Sequence, residues 1–179
     1  MFRFSIFLFF LFFHPCISIA QPSDFKLLKK NKFEKVEKRT NKKIIKNPDD
    51  CEVLYTIGVL YNSEGYSKFN PETGLKKINE AMIIFVNLDI KTKDKLTKNG
   101  SGLDSMLVHK NNSFDLGLEI AKSSPSVESF QHFIDVFHES YTQKNEAITL
   151  RDIYAFRIAK IKNTEEGYIP KVANRILKS

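Results

Sequence analysis

The spacing of apolar residues along the chain predicts a series of α-helices. Apolar residues that recur every three or four positions lie on one face of a helix, and such runs occur in several segments. The first run comprises Val53, Leu54, Ile57, Leu60 and Tyr61, and the second Leu75, Ile78, Ala81, Met82 and Phe85. The clearest run comprises Val127, Phe130, Phe133, Ile134, Phe137 and Tyr141. This pattern favours an all-α fold.

Prolines and capping residues predict where these helices begin and end. A first helix is expected over 25–47, because the residue before Pro48 is disfavoured in a helix. Asp49 or Asp50 is expected to cap a second helix that ends near residue 64. Asn70 and Pro71 are typical of an N-cap and first turn. The pattern is weakest over 87–112, which is predicted to be irregular, with a loop at 98–102 and short helical pieces beside it. Further helices are predicted over 114–122, from Ser124, over 146–162 and from Pro170.

Two segments of the C-terminal half are similar to each other at a separation of 38 residues. In 118–130 and 156–168, an Ile-Ala-Lys run and a later Glu are identical, and an aromatic residue ends each segment. A period of roughly 30–40 residues is the mark of helical repeat arrays. In such arrays each unit buries its apolar face against the next.

A repeat motif is carried by residues of the predicted helices around the 62–70 loop: Leu54, Ile57, Gly58, Tyr61, Gly74, Ile78 and Ala81. In this order they resemble the tetratricopeptide pattern, in which a Trp-x-x-Leu-Gly-x-x-Tyr helix precedes an Ala-x-x-x-Phe-x-x-Ala helix. Leu54 stands in place of the Trp, Gly74 replaces the first Ala, and the loop is longer, as in Sel1-like relatives. The resemblance implies a right-handed α-solenoid of antiparallel helix hairpins, in which these residues pack the helices together and a concave face binds proteins.

The N-terminal segment 1–20 is predicted to be a signal peptide. It has a basic start at Arg3, an apolar run over 4–13, and small residues at Ser18 and Ala20. A retained membrane anchor is the alternative, and the shortness of the apolar run argues against it. Cleavage after Ala20 would place the protein in the periplasm or outside the cell. The remaining chain, 21–179, is expected to form better-matched repeats over 21–86, an irregular part over 87–112 and divergent repeats over 113–179.

Positive charge is concentrated in the first predicted helix. The chain has a formal net charge of +7, and residues 21–48 hold ten Lys and Arg against three acidic residues. Such a helix is either a solvated surface or a contact for lipid head groups, acidic polymers or an acidic protein. Nucleic acid is not an expected partner, because the aromatic residues needed to stack bases are scarce there.

Sequence motifs for chemistry are missing. There is no His-Glu-x-x-His, no Gly-x-Gly-x-x-Gly, no phosphate-binding loop and no Gly-x-Ser-x-Gly. His132 and His138 are six positions apart, so they project from different sides of a helix and cannot share a metal ion. Cys51 is the only cysteine after the signal peptide, and neighbouring acidic residues are expected to raise its pKa. We therefore expect no catalytic residue, no metal and no cofactor, and a hydrolase without a recognisable motif is a remote alternative.

Protein–protein binding in the cell envelope is the function that the repeat pattern favours. The alternative is an envelope assembly factor that contacts membrane or cell-wall polymer through the basic helix. The side chains expected to bind are polar or aromatic ones that packing between helices should not need: Lys35, Arg39, Lys42, Tyr55, Asn62 and Glu64.

Overall fold

The computed structural model describes residues 23–161, and every regular element in that range is an α-helix, as predicted. The helices are α1 (Ser23–Leu28), α2 (Phe33–Lys46), α3 (Cys51–Tyr61), α4 (Pro71–Asn87), α5 (Ile90–Lys98), α6 (Leu103–Ser123), α7 (Val127–Val136) and α8 (Tyr141–Ile161). Within 23–161 no helix is both long and apolar enough to cross a membrane. The predicted signal peptide, its cleavage site and the helix from Pro170 lie outside the described residues.

The single helix predicted over 25–47 is wrong, because two helices occupy this segment. The chain turns between α1 and α2 at Asn31, whose φ of 54° is tolerated better by Asn than by most side chains. The turn lets α1 fold back, so that the ring of Phe25 lies 5.2 Å from the ring of Tyr55 in α3. The predicted stop before Pro48 is confirmed, since α2 ends at Lys46 with Asn47 as its C-cap.

Helices α3 and α4 form an antiparallel hairpin with the predicted starts. Asp50 caps α3 by accepting from the Val53 backbone N–H, and Asn70 caps α4 by accepting from that of Thr73. The Cys51 thiol at the start of α3 donates to the carbonyl oxygen of Ala81 near the end of α4. At the loop end, the Asn70 backbone N–H donates to the Tyr61 carbonyl oxygen at 2.9 Å, so hydrogen bonds join the two helices near both ends of the hairpin. Helix α3 stops at Tyr61, three residues before the predicted end.

The two helices of this hairpin cross closely at Gly58 and Gly74. A Cβ on Gly58 would lie 2.6 Å from Cγ1 of Ile78 and 3.0 Å from the carbonyl oxygen of Gly74. A Cβ on Gly74 would lie 2.1 Å from Oδ1 of Asn62. Real side chains do not tolerate such distances, so both positions require glycine at this helix separation.

The stretch predicted to be irregular, 87–112, is mostly helical. Asp89 caps α5, and α6 begins at Leu103, well before the predicted start at 114. The apolar pattern does not predict the start of α6, because the apolar residues there do not share one face. Met106 is buried, but Leu107 and Val108 face solvent. Met106 anchors this part of α6, because it lies in the buried cluster that also contains Ile78 and Phe85 of α4. The predicted loop at 98–102 is confirmed and contains Gly100 at φ 80°.

The C-terminal helices differ from prediction at their starts. Ser126 caps α7, in place of the predicted Ser124, because its hydroxyl and that of Ser129 bond reciprocally to each other's backbone N–H. Tyr141 was expected on the apolar face of α7 but is 82% exposed, since the chain turns after Phe137 and starts α8 there. The other members of that apolar run are buried or partly buried.

The buried side chains form two clusters. The first core comprises residues of α1 to α4 with Tyr66, Leu96 and Met106, and the second comprises Leu75 and Phe137 with residues of α6, α7 and α8. Both α4 and α6 contribute to each cluster, so these two helices join the cores. The segment 118–130 spans the end of α6 and the start of α7, whereas its counterpart 156–168 lies largely outside the described residues, so the repeat stays a prediction.

Candidate functional site

Two side chains predicted to bind a partner are buried instead. Tyr55 is 1% exposed and its ring packs edge-on against that of His109, with centroids 5.7 Å apart. Asn62 is 6% exposed and lies where α3, α4 and α6 meet. The prediction that packing does not need these two side chains is wrong, because α6 covers the side of α3 from which they project.

Asn62 links α3 to α6 inside the protein. Its amide Nδ2 donates to the Ser113 hydroxyl at 2.6 Å and to the His109 carbonyl oxygen at 3.4 Å. Its Oδ1 is buried, accepts no hydrogen bond from the residues described, and points at Gly74. A residue with a Cβ at this position would displace the amide, because the Cβ would lie 2.1 Å from Oδ1. Asn62 is therefore a structural residue.

The residues of the repeat motif do lie in or beside the first core. Leu54, Ile78 and Ala81 are buried in it, and the two glycines form the helix crossing. Tyr61 packs against the core from its edge, with its ring 5.7 Å from that of Tyr66, and Ile57 is partly exposed.

The remaining four predicted binding residues are at least partly exposed. Lys35 and Lys42 lie on the outer side of α2, and Glu64 is exposed in the loop after α3. Arg39 is turned toward Asp24 of α1 and donates to it at 3.1 Å, while Lys43 donates to the same carboxylate at 2.8 Å. Arg39 is thus partly committed to holding α1, and the six predicted residues do not form one surface.

The Asp24 carboxylate in α1 is buried, although it is a charged group. Burial alone would raise its pKa, but hydrogen bonds from Lys43 and Arg39 and the charges of both outweigh burial and lower the pKa. The group is therefore ionised in the folded protein at neutral pH, and it ties α1 to α2.

A cleft opens where the start of α4, the end of α6 and α7 meet. Its volume is about 320 Å³, and its apolar lining comprises Phe69, Pro71, Gly117, Ile120, Ala121, Phe133 and Phe137. Gly117 shapes the floor, since a Cβ there would lie 2.6 Å from the ring of Phe137. Polar groups at the rim come from Asn70, Glu72, Ser123, Ser124, Ser129 and His132. The cleft is an apolar depression with a polar edge, which is the usual character of a binding site.

Two ionisable side chains of the cleft lie beside each other at its mouth. Nε2 of His132 lies 3.5 Å from Oε2 of Glu72, and both side chains are more than half exposed. The hydroxyl of Ser129 donates to the carbonyl oxygens of Ala121 and Ser126, and that of Ser123 to Ile120. Among residues 23–161 no hydroxyl or thiol donates to His132, so the geometry offers no activated nucleophile.

Cys51 is equally unsuited to nucleophilic chemistry. Burial, together with the charges of Asp50 and Glu52, raises the pKa of its thiol to about 11. The prediction that acidic neighbours raise this pKa is confirmed, although burial is the larger cause. The described part of the chain contains no group of three or more His, Cys, Asp or Glu side chains that could hold a metal ion.

Sequence reasoning missed the cleft because its walls are distant in the chain. The local signals are present in the sequence, since Pro71 predicts a helix start and a helix end is predicted between residue 122 and Ser124. Only the packing of α6 between α4 and α7 shows that these ends meet. The chain matches no protein-family model, and comparisons with curated proteins and with solved structures find none that is similar.

Proposed function

We propose that this chain is an exported, tetratricopeptide-like repeat protein that binds a partner protein through the cleft between α4, α6 and α7. The cleft is the observation that carries the proposal. Its volume of about 320 Å³ lies at the lower end of the range for pockets that enclose ligands. Its three phenylalanines provide apolar surface for an aliphatic or aromatic side chain of the partner.

The helix arrangement supports a binding module. The antiparallel α3–α4 hairpin, with its close crossing at Gly58 and Gly74, agrees with the packing that the repeat motif implies. Helix repeats expose grooves between neighbouring units, and partners bind in them. A right-handed solenoid and a concave binding face belong to this proposal, as do the signal peptide and the envelope location.

Peptide selection from a display library, followed by affinity measurement, tests the binding role. Ile120→Glu places a charge in the cleft and is expected to weaken the selected peptides at least tenfold, since burying an unpaired carboxylate is costly. Ile83→Glu is the matched control, because Ile83 is an exposed isoleucine of α4 outside the cleft lining. Selected peptides without an apolar residue, or equal loss in both variants, would contradict the proposal.

Export is tested separately from binding. N-terminal sequencing of the protein recovered from the secretory route should begin at Gln21. A mature chain that retains the apolar run at 4–13 would refute cleavage after Ala20 and leave the cleft untouched.

A further inference from the structure

Helix α2 presents a cationic surface away from the protein interior. We define its basic face as Lys35, Lys38, Lys42, Ile45 and Lys46, which are all exposed. At 100° per residue these positions fall on one side of the helix, opposite the buried Val36 and Thr40. We propose that the basic face docks the protein on an anionic lipid bilayer. This inference is independent of the cleft.

The lysines of the basic face are not used inside the fold. Lys35, Lys38, Lys42 and Lys46 make no ion pair with any residue in 23–161, whereas Arg39 and Lys43 on the flank bind Asp24. The acidic residues of α2 offset little of this charge, because Glu37 pairs with Lys68 and only Glu34 remains. The four ammonium groups are therefore available to an external anionic surface.

Ile45 distinguishes a bilayer from other anionic partners. Its side chain is 81% exposed and follows Lys38 and Lys42 at seven and three positions, so it lies among the lysines. An amphipathic surface of lysines with an apolar residue is suited to the boundary between head groups and acyl chains. A soluble polyanion would gain nothing from Ile45, and the face has no aromatic residue to stack bases.

The fold keeps this surface rigid and accessible. Val36 and Thr40 hold the inner side of α2 against the first core, and the hydrogen bonds from Arg39 and Lys43 to Asp24 attach α1 to its flank. Among residues 23–161 no other helix packs over the outer side, since all five residues of the basic face are exposed. The lysines therefore need little rearrangement to meet a planar surface.

The loss of membrane affinity expected for each variant can be estimated from the usual contributions of lysine and of apolar side chains. Each lysine near an anionic membrane contributes about fivefold in affinity, so the double variant Lys38→Ala/Lys42→Ala should bind about 25-fold more weakly. Ile45→Ser should bind about tenfold more weakly, because the apolar side chain no longer leaves water on docking. Raising the salt concentration should weaken the wild type steeply.

Vesicle sedimentation with the purified protein tests the proposal. Binding to phosphatidylcholine vesicles containing phosphatidylglycerol is compared with binding to phosphatidylcholine alone, at low and high salt. The control variants are Lys76→Ala/Lys98→Ala, which removes two exposed lysines elsewhere, and Val108→Ser, which removes an exposed apolar residue of α6. Circular dichroism of each variant verifies that it is folded.

The proposal requires preference for the anionic vesicles, loss in both basic-face variants, and little change in both controls. Equal binding to neutral vesicles would overturn it, and so would equal loss in the lysine controls. Competition by soluble polyphosphate combined with no effect of Ile45→Ser would assign the face to a polyanion and would also overturn it.

Discussion

The two cores of this protein pack helices by different means. In the first core, α3 and α4 approach through glycines, and a buried amide, Asn62, joins them to α6. In the second core, aromatic rings fill the space between α6, α7 and α8. The rings of Phe133 and Phe137 are stacked with centroids 4.9 Å apart, and Phe130 lies 5.7 Å from Tyr154.

The difference between glycine packing and ring packing decides how easily each can be recognised in a sequence. Glycine at a helix crossing has few substitutes, because any Cβ would meet backbone atoms of the other helix. Large rings can exchange places with other apolar residues of similar volume at modest cost. This is why the glycines of α3 and α4 are conspicuous in the sequence, whereas the ring packing of the second core leaves only a run of apolar residues over α7.

The largest effect is expected from emptying the second core. Phe133→Ala should lower the free energy of unfolding by about 4 kcal/mol, because the removed ring leaves a cavity among Phe130, Phe137 and Gly117. Urea denaturation measures it. Tyr141→Ala removes an exposed ring from the adjoining segment and should change the free energy of unfolding by less than about 0.5 kcal/mol. A small loss for Phe133→Ala would show that the aromatic core is loosely packed.

Alanine at the close-packed glycines compares how far the two cores can adjust. Gly58→Ala should lower the free energy of unfolding by about 3 kcal/mol, since the new methyl group meets Ile78 and the backbone of Gly74. Gly117→Ala should cost about 1 kcal/mol, because its obstacle is the side chain of Phe137, whose ring is able to shift. Thermal denaturation of both variants gives the order, and the reverse order would mean that the first hairpin is the more adaptable part.

Much of the fold was readable from the sequence. The caps Asp50 and Asn70 satisfy backbone donors within their own turn, and the stop before Pro48 is a local steric effect, so short stretches were enough to predict them. The start of α6 was missed because packing against α4 overrides an ambiguous pattern. The turn at Asn31 was missed because it depends on Phe25 reaching Tyr55, a contact between distant parts of the chain.

The site was less predictable than the fold. The sequence pattern predicts that Lys35 and Lys42 lie on the surface, and both are exposed in the structure. Tyr55 and Asn62 looked available because a sequence does not show which side of α3 the later helix α6 will cover. The cleft forms where parts of three helices meet, and residues that are distant in the sequence bring them together.

A double-mutant cycle measures how much the hydrogen bond from the buried Asn62 amide contributes to stability. Asn62→Ala should cost about 2 kcal/mol, combining a lost hydrogen bond with a small cavity. Ser113→Ala removes the hydroxyl that accepts from Asn62. The two changes should couple by about 1 kcal/mol. Strict additivity in chemical denaturation would exclude the hydrogen bond as a stabilising link between α3 and α6.

The smallest effect concerns the carboxylate that ties α1 to α2. The pKa of Asp24 is lowered in the folded protein, so its contribution is present above the unfolded pKa near 4 and is lost as pH falls through the folded value. Asp24→Asn should cost about 1 kcal/mol at pH 7, because both basic partners are about half exposed. The difference from wild type should vanish at the lowest pH. A constant difference at all pH values would rule out the ionic contribution.

Hydrogen exchange in the presence of a selected peptide tests the binding role of the cleft most directly. Bound peptide should slow exchange of backbone amides at 69–73, 117–124 and 129–137, which surround the cleft, and leave those of α2 unchanged. Protection confined to α2 or to the α3–α4 hairpin would contradict the account and place the binding surface elsewhere.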